Sequence, residues 1–167
     1  MNIYVELNNP FFIIFFVGII LSFFINHFLE FIDYKARKTN GGKLPAELQD
    51  ISLAVETFDT KKLKSICDYE NAKYFLWIPS SICSLILSIC LIIFGFYPFV
   101  FNLICELTGF PQSIFSSFLC FFLFMIFSSI PEEILSIPFS LYKQFKLEKK
   151  FGFNTMTLKL WISDFIK

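Results

Sequence analysis

From Tyr74 to Cys105 the chain reads YFLWIPSSICSLILSICLIIFGFYPFVFNLIC, without a charged side chain. A helix crosses the hydrocarbon of a bilayer with roughly 20 apolar residues, each rising about 1.5 Å. This run is longer than one crossing needs. Pro79 stands near its start, and Gly95 and Pro98 stand near its end. The pattern predicts a span from Phe75 to about Phe96 that continues into an interfacial segment.

Two further runs flank it. Downstream, Leu107 to Pro131 is uncharged, and Thr108-Gly109-Phe110-Pro111 supplies a turn before it. Two antiparallel helices joined by a short apolar turn are the simplest geometry. Upstream, Phe11 to Ile25 is apolar apart from Gly18 and Ser22, and Ile3, Val5 and Leu7 extend it towards the start. A cleaved leader would carry positive charge before its apolar core. No Lys or Arg precedes Lys35, and Asn26-His27-Phe28 follows the core. A retained membrane helix from about Ile3 to Ile25 is expected.

Composition agrees. Of 167 residues 56% are hydrophobic and 17% charged, mean hydropathy is +0.65, and Phe occupies 26 positions. Soluble domains carry about 25% charge, and disordered chains need low hydrophobicity. The 14 basic and 14 acidic side chains cancel, so no net field attracts phosphates and nucleic acid is not an expected partner. The bilayer is. The fold class is an all-α membrane protein with about three transmembrane helices, a cytoplasmic helical loop and a tail.

The loop covers residues 33–73. It holds Lys35, Arg37, Lys38, Lys43, Lys61, Lys62, Lys64 and Lys73 among acids. Thr39-Asn40-Gly41-Gly42 marks a turn, and Pro45 suits a helix start. From Ile51 to Tyr69, apolar Leu53, Val55, Phe58, Leu63 and Ile66 recur at helical spacing, which predicts a water-exposed or interfacial helix. Lys and Arg are absent from residues 1–34 and 74–142 and return after them. Positively charged loops stay cytoplasmic. The N-terminus and the second connection are therefore expected outside, with the first connection and the tail in the cytoplasm. The host membrane would be a bacterial inner membrane or the endoplasmic reticulum.

Metal and redox chemistry have little framework here. Cys67, Cys83, Cys90, Cys105 and Cys120 show no C-x-x-C spacing, and His27 is the lone histidine. Small apolar packing is the expected role of the cysteines, and interfacial solvation that of His27. Glu132 and Glu133 follow the third run. Gln112 to Ile130 already spans roughly 28 Å at the helical rise, which sets the pair near the far interface. They are read either as a solvated interfacial pair or as a pair facing an aqueous chamber. Pro138 could kink the helix beyond them.

The tail carries the most specific pattern. Pro138, Phe139 and Tyr142 form Pro-Phe-x-x-Tyr. Phe145, Glu148, Phe151, Gly152, Phe153, Asn154 and Thr157 form Phe-x-x-Glu-x-x-Phe-Gly-Phe-Asn-x-x-Thr. Asp164 and Lys167 end the helix that follows. Locally, Gly152 and Asn154 tolerate a left-handed backbone and so a tight turn. Phe151 and Phe153 would anchor that turn. Thr155 is a plausible N-cap for a helix starting near Thr157. Glu148 would accept hydrogen bonds from the turn's backbone, or with Asn154 help shape a functional chamber.

These residues resemble the end of the N-terminal membrane domain of the type I CAAX prenyl protease family, integral-membrane zinc metallopeptidases. Pro45-x-Glu47-Leu48 and Tyr69-x-x-Ala72-Lys73 extend the resemblance upstream. It implies peptide-bond hydrolysis by a helix bearing H-E-x-x-H, whose histidines hold zinc and whose glutamate activates a water. That motif lies downstream of Phe-Gly-Phe-Asn in the family and is not in residues 1–167. The expectation is an N-terminal domain, residues 1–167, ending before the catalytic region. No catalytic or metal residue is assigned within it, zinc is implied for the full-length family, and a peptide or protein is the substrate of the whole protease. The competing reading is a non-enzymatic small membrane protein or remnant subunit. A carrier or channel component is a weaker third.

The orientation yields a direct test. A single cysteine placed at Asn40 in a cysteine-free background should resist an impermeant thiol reagent in intact cells and react after permeabilisation. Labelling in intact cells would reverse the topology.

Overall fold

The computed structural model describes residues 9–44, 59–109 and 113–166. It contains helices α1 (Pro10–Asn40), α2 (Thr60–Ile93), α3 (Phe96–Thr108), α4 (Ile114–Tyr142) and α5 (Leu158–Ile166). A π-helical turn, Lys143–Glu148, continues α4. There is no strand among the described residues. By length and composition three of these helices can cross a membrane: α1, α2, and α4 with its π-turn.

Each start has a local cause. Asn9 caps α1, its Oδ1 accepting from the Phe11 N–H at 2.9 Å, and Pro10 takes the first helical position, where a missing N–H costs nothing. Asp59 caps α2 likewise, accepting from the Lys61 N–H at 2.9 Å. The Thr157 hydroxyl accepts from the Leu160 N–H at 3.4 Å and caps α5. The cap is therefore Thr157 and not the expected Thr155, because the helix begins one residue after Thr157.

Span limits differ from the hydropathy pattern for a physical reason. Charge ends a crossing but does not end a helix. α1 runs past Ile25 through Lys35 and Lys38 and stops at Asn40, where Gly41-Gly42 turns the chain. α2 starts at Thr60, well before Phe75, and continues unbroken through Pro79. Residues 60–69 of the expected interfacial helix are thus the polar beginning of the second span. Residues 45–58 and the start of the first expected span, Ile3 to Leu7, lie outside the described residues. α4 likewise continues through Pro131 and Pro138.

The chain divides into two compact units, Met1–Phe23 with Ser80–Ile137, and Phe24–Pro79 with Pro138–Lys167. In the first, the interfacial segment expected after Phe96 is α3. Its 13 residues reach about 20 Å, short of a crossing. α3 packs antiparallel on α4, with Phe101 against Phe124 at 6.2 Å and Thr108 Oγ1 3.2 Å from Cys120 Sγ. The antiparallel pair expected around residues 108–111 is thus α3 and α4, not two full spans. Gly109 leaves α3 at φ 78°, and residues 110–112 are outside the description. Val100, Ile104 and Cys120 form this unit's buried cluster, with Phe96, Leu123 and Phe124 beside it.

In the second unit aromatic rings do much of the packing. His27 lies on Trp77 with centroids 4.4 Å apart, and Tyr34 stacks on Tyr74 at 5.0 Å. Arg37 Nε donates to Asn71 Oδ1 at 3.1 Å, joining α1 to α2. Gly41 permits their close approach, since a Cβ there would meet Cys67 Cβ at 3.1 Å and the Arg37 carbonyl closer still.

Few apolar side chains are enclosed by protein. Those buried among the described residues are Val100, Ile104, Cys105, Cys120 and Leu147, whereas Phe11 is 81% exposed and Ile114 92%. For a water-soluble chain this would be an unfolded core. With lipid as the solvent the exposed apolar surface is the expected boundary.

Candidate functional site

The motif residues assemble a helix-ending turn in the second unit. Gly152 adopts φ +76°. The Phe153 N–H donates to the Glu148 carbonyl at 2.9 Å, and the Gly152 N–H donates to the Lys149 carbonyl at 3.2 Å. This pairing is a Schellman motif with glycine at the left-handed position, and it satisfies carbonyls that the helix end would leave bare. Asn154 is not left-handed, since no non-glycine among the described residues has positive φ. Its side chain acts instead. The amide nitrogen donates to the Gln144 carbonyl, and Oδ1 accepts from the Met156 N–H at 2.5 Å. The π-helical turn Lys143–Glu148 contains that carbonyl, so Asn154 ties the following loop to the widened turn.

The motif also reaches α2. Phe151 and Phe153 approach the Tyr69 ring edge-on at 5.5 and 5.0 Å, and the Tyr69 hydroxyl donates to Glu148 Oε1 at 3.3 Å. Lys73 Nζ stands over the same Tyr69 ring, 5.3 Å from its centroid, and pairs with Glu70 at 2.9 Å. Glu148 thus serves the turn through its backbone carbonyl, whereas its carboxylate serves α2. The role expected for it was acceptance from the turn by the side chain. Tyr142 is half-exposed beside Lys146, whose Nζ stands 5.4 Å from the ring. Pro138 and Phe139 lie in the last part of α4, and Phe145 lies in the π-turn.

In the first unit the two glutamates separate. Glu132 is half-buried and accepts from Ser84 Oγ and Ser88 Oγ, each at 2.8 Å. These serines sit four apart and so share one face of α2. Glu133 is exposed. Ser128 is one turn before Glu132, and its Oγ is buried without a partner. The serines were invisible to hydropathy reasoning. Their four-residue spacing within an uncharged run was the available signal.

His27 is engaged with Trp77, and no three His, Cys, Asp or Glu side chains gather as metal ligands among the described residues. The described side chains do not assemble a zinc centre.

The arrangement is that of a helical membrane domain whose polar contacts join helices and end them. A family profile described as CAAX prenyl protease N-terminal, five membrane helices, matches residues 33–167. The chain belongs to this family of N-terminal membrane domains. It is 34% identical over 156 residues to the CAAX prenyl protease 1 homolog of Dictyostelium discoideum, covering 90% of this chain and 34% of that protein. To CAAX prenyl protease 1 of Saccharomyces cerevisiae it is 29% identical, covering 89% of this chain and 32% of that one. The crystal structure of S. mikatae Ste24p superposes with a TM-score of 0.68 at 28% identity, over 94% of this chain and 35% of that one. The chain therefore spans about a third of the length of these relatives.

Two outcomes follow from the geometry. A Cβ at Gly152 would meet nothing within 4 Å, so substitution there strains the backbone without a clash. Gly152→Val should destabilise by about 1–3 kcal/mol and Gly152→Asn by much less, measured by thermal unfolding in detergent. Equal losses would refute the backbone account. Glu132→Ala should cost about 1–2 kcal/mol, since it removes both serine contacts, whereas Glu133→Ala should be near neutral. The same unfolding assay reads both, and equal effects would contradict the separation of the pair.

Proposed function

We propose that this chain supplies the membrane-embedded N-terminal part of a zinc metalloendopeptidase of the CAAX prenyl protease class and is catalytically incomplete by itself. The observation that carries the reading is the match over residues 33–167 together with the fold likeness to Ste24p. The residues offer a scaffold: three long apolar helices and a tightly ended turn that leads into α5. They offer no H-E-x-x-H and one histidine. Zinc and the water-activating glutamate would come from polypeptide other than these residues. The substrate in this reading is a prenylated peptide or protein, as the names of the relatives suggest.

Orientation belongs to the same proposal. The N-terminus lies outside and the tail in the cytoplasm, because Lys and Arg flank the spans on one side only. The compartment is the endoplasmic reticulum, or the inner membrane in a bacterium. Glu132 is read as the chamber-facing member of the acidic pair, a reading that its hydrogen bonds with Ser84 and Ser88 support. Glu133 is exposed and is read as solvated.

A chimera tests the reading. Residues 1–167 would replace the matching third of the Dictyostelium discoideum relative, and cleavage of a prenylated CAAX peptide would be measured beside the folded yield. The chimera should cleave, and residues 1–167 alone should not. A chimera that folds in normal yield but is inactive would overturn the assignment and favour a non-enzymatic membrane protein. Cleavage by residues 1–167 alone would place catalysis where no H-E-x-x-H exists.

A further inference from the structure

A cleft of about 470 Å³ in the second unit is lined by Ala72, Phe75 and Leu76 of α2 and by Tyr142, Leu147 and Phe151 after it, with Lys146 and Lys150 among them. Neither its position nor its charge is required by the turn that it adjoins. On α2 the lining straddles Lys73 and Tyr74, the point where charged residues give way to the uncharged run. On the other wall it straddles Tyr142 and Lys143, the point where charges return. Both walls therefore cross the same sequence boundary, between the part that suits hydrocarbon and the part that suits headgroups. Tyr142, half-exposed at that boundary, is the residue type that settles at a membrane–water interface.

The two lysines are spaced four apart around the end of the π-turn, and both are exposed. Neither has a carboxylate partner among the described residues, whereas Lys73 of α2 is paired with Glu70 at 2.9 Å. Their ammonium groups rest over aromatic rings instead, Lys146 at 5.4 Å from the Tyr142 centroid and Lys150 at 5.7 Å from that of Phe151. Two uncompensated cations above an apolar floor at headgroup depth ask for a ligand with an anionic head and a hydrocarbon tail. Basic clefts between helices at a membrane surface take such headgroups.

We propose that this cleft binds one anionic phospholipid, its phosphate between Lys146 and Lys150 and an acyl chain along Phe75, Leu76 and Phe151. The inference concerns the chain's own membrane face and does not depend on protease activity. A lysine pair that holds a phosphate here would also steady the π-turn and the Gly152 turn beyond it.

Native mass spectrometry of the purified full chain in detergent tests the proposal, with phosphatidylserine as the probe and phosphatidylcholine beside it. Phosphatidylserine should be retained in preference to phosphatidylcholine. Lys146→Gln with Lys150→Gln should lower its retention at least about tenfold, and the pair Lys146→Arg with Lys150→Arg should restore it. Lys61→Gln with Lys64→Gln removes equal charge from α2 outside the cleft and should change nothing. Circular dichroism of each variant checks folding, and the arginine pair keeps the test decisive if the glutamine pair unfolds. Equal loss in the Lys61 and Lys64 variant would reduce the effect to net charge. Equal retention of phosphatidylcholine would make the cleft merely apolar. Displacement of the lipid by millimolar inorganic phosphate would make free phosphate the ligand. Unchanged retention in the glutamine pair would also overturn the proposal.

Discussion

Hydrocarbon offers no hydrogen bonds, so every backbone N–H and C=O within it must be satisfied by the chain itself. That constraint accounts for the helices more directly than side-chain burial does. Five hydrophobic residues are buried among those described, while Phe and Ile line the outside of α1, α2 and α4. The places where the backbone would go unsatisfied are the helix ends, and there the sequence spends its polar residues. Asn9, Asp59 and Thr157 cap the starts of α1, α2 and α5. Gly152 closes the end of the segment that begins as α4.

The same logic explains why the Phe-Gly-Phe-Asn stretch is a turn and not a continued helix. A left-handed glycine lets two N–H groups fold back onto the Glu148 and Lys149 carbonyls. Asn154 then occupies the Gln144 carbonyl and the Met156 N–H with one side-chain amide. Phe151 and Phe153 press on Tyr69, and Tyr69 donates to Glu148. One residue, Glu148, therefore belongs to the turn by its backbone and to α2 by its side chain. Loss of either contact would loosen the other.

What could be read in advance follows the strength of each pattern. Uncharged runs of more than twenty residues have one physical outcome in a membrane, and the three long helices were legible from the runs that contain Phe11, Phe75 and Ile114. Their ends were less so. Hydropathy marks where lipid stops, whereas α2 persists from Thr60 because Asp59 caps it and nothing between Lys61 and Tyr74 breaks it. α3 was hidden inside a continuous apolar run, since Gly95 punctuates that run without changing its hydropathy. The Gly152 turn was legible because few residues tolerate positive φ. The part taken by Asn154 was not, as a side chain that bonds the backbone and one that adopts a left-handed conformation favour the same residue type.

Glu132 shows what a polar residue can do inside such a domain. An isolated carboxylate in an apolar segment is costly to hold. Two hydroxyls from the facing helix answer it at 2.8 Å, from serines one turn apart on α2. The serines lose little by this, because a helical hydroxyl can otherwise bond back to its own helix. The contact therefore adds modest stability but strong direction: the face of α2 that carries Ser84 and Ser88 satisfies Glu132. Apolar packing between lipid-exposed helices has little such preference, since lipid tails pack against phenylalanine about as well as protein does. A single carboxylate among phenylalanines thus selects the rotation of one span against another, which the exposed Glu133, one residue away, does not do.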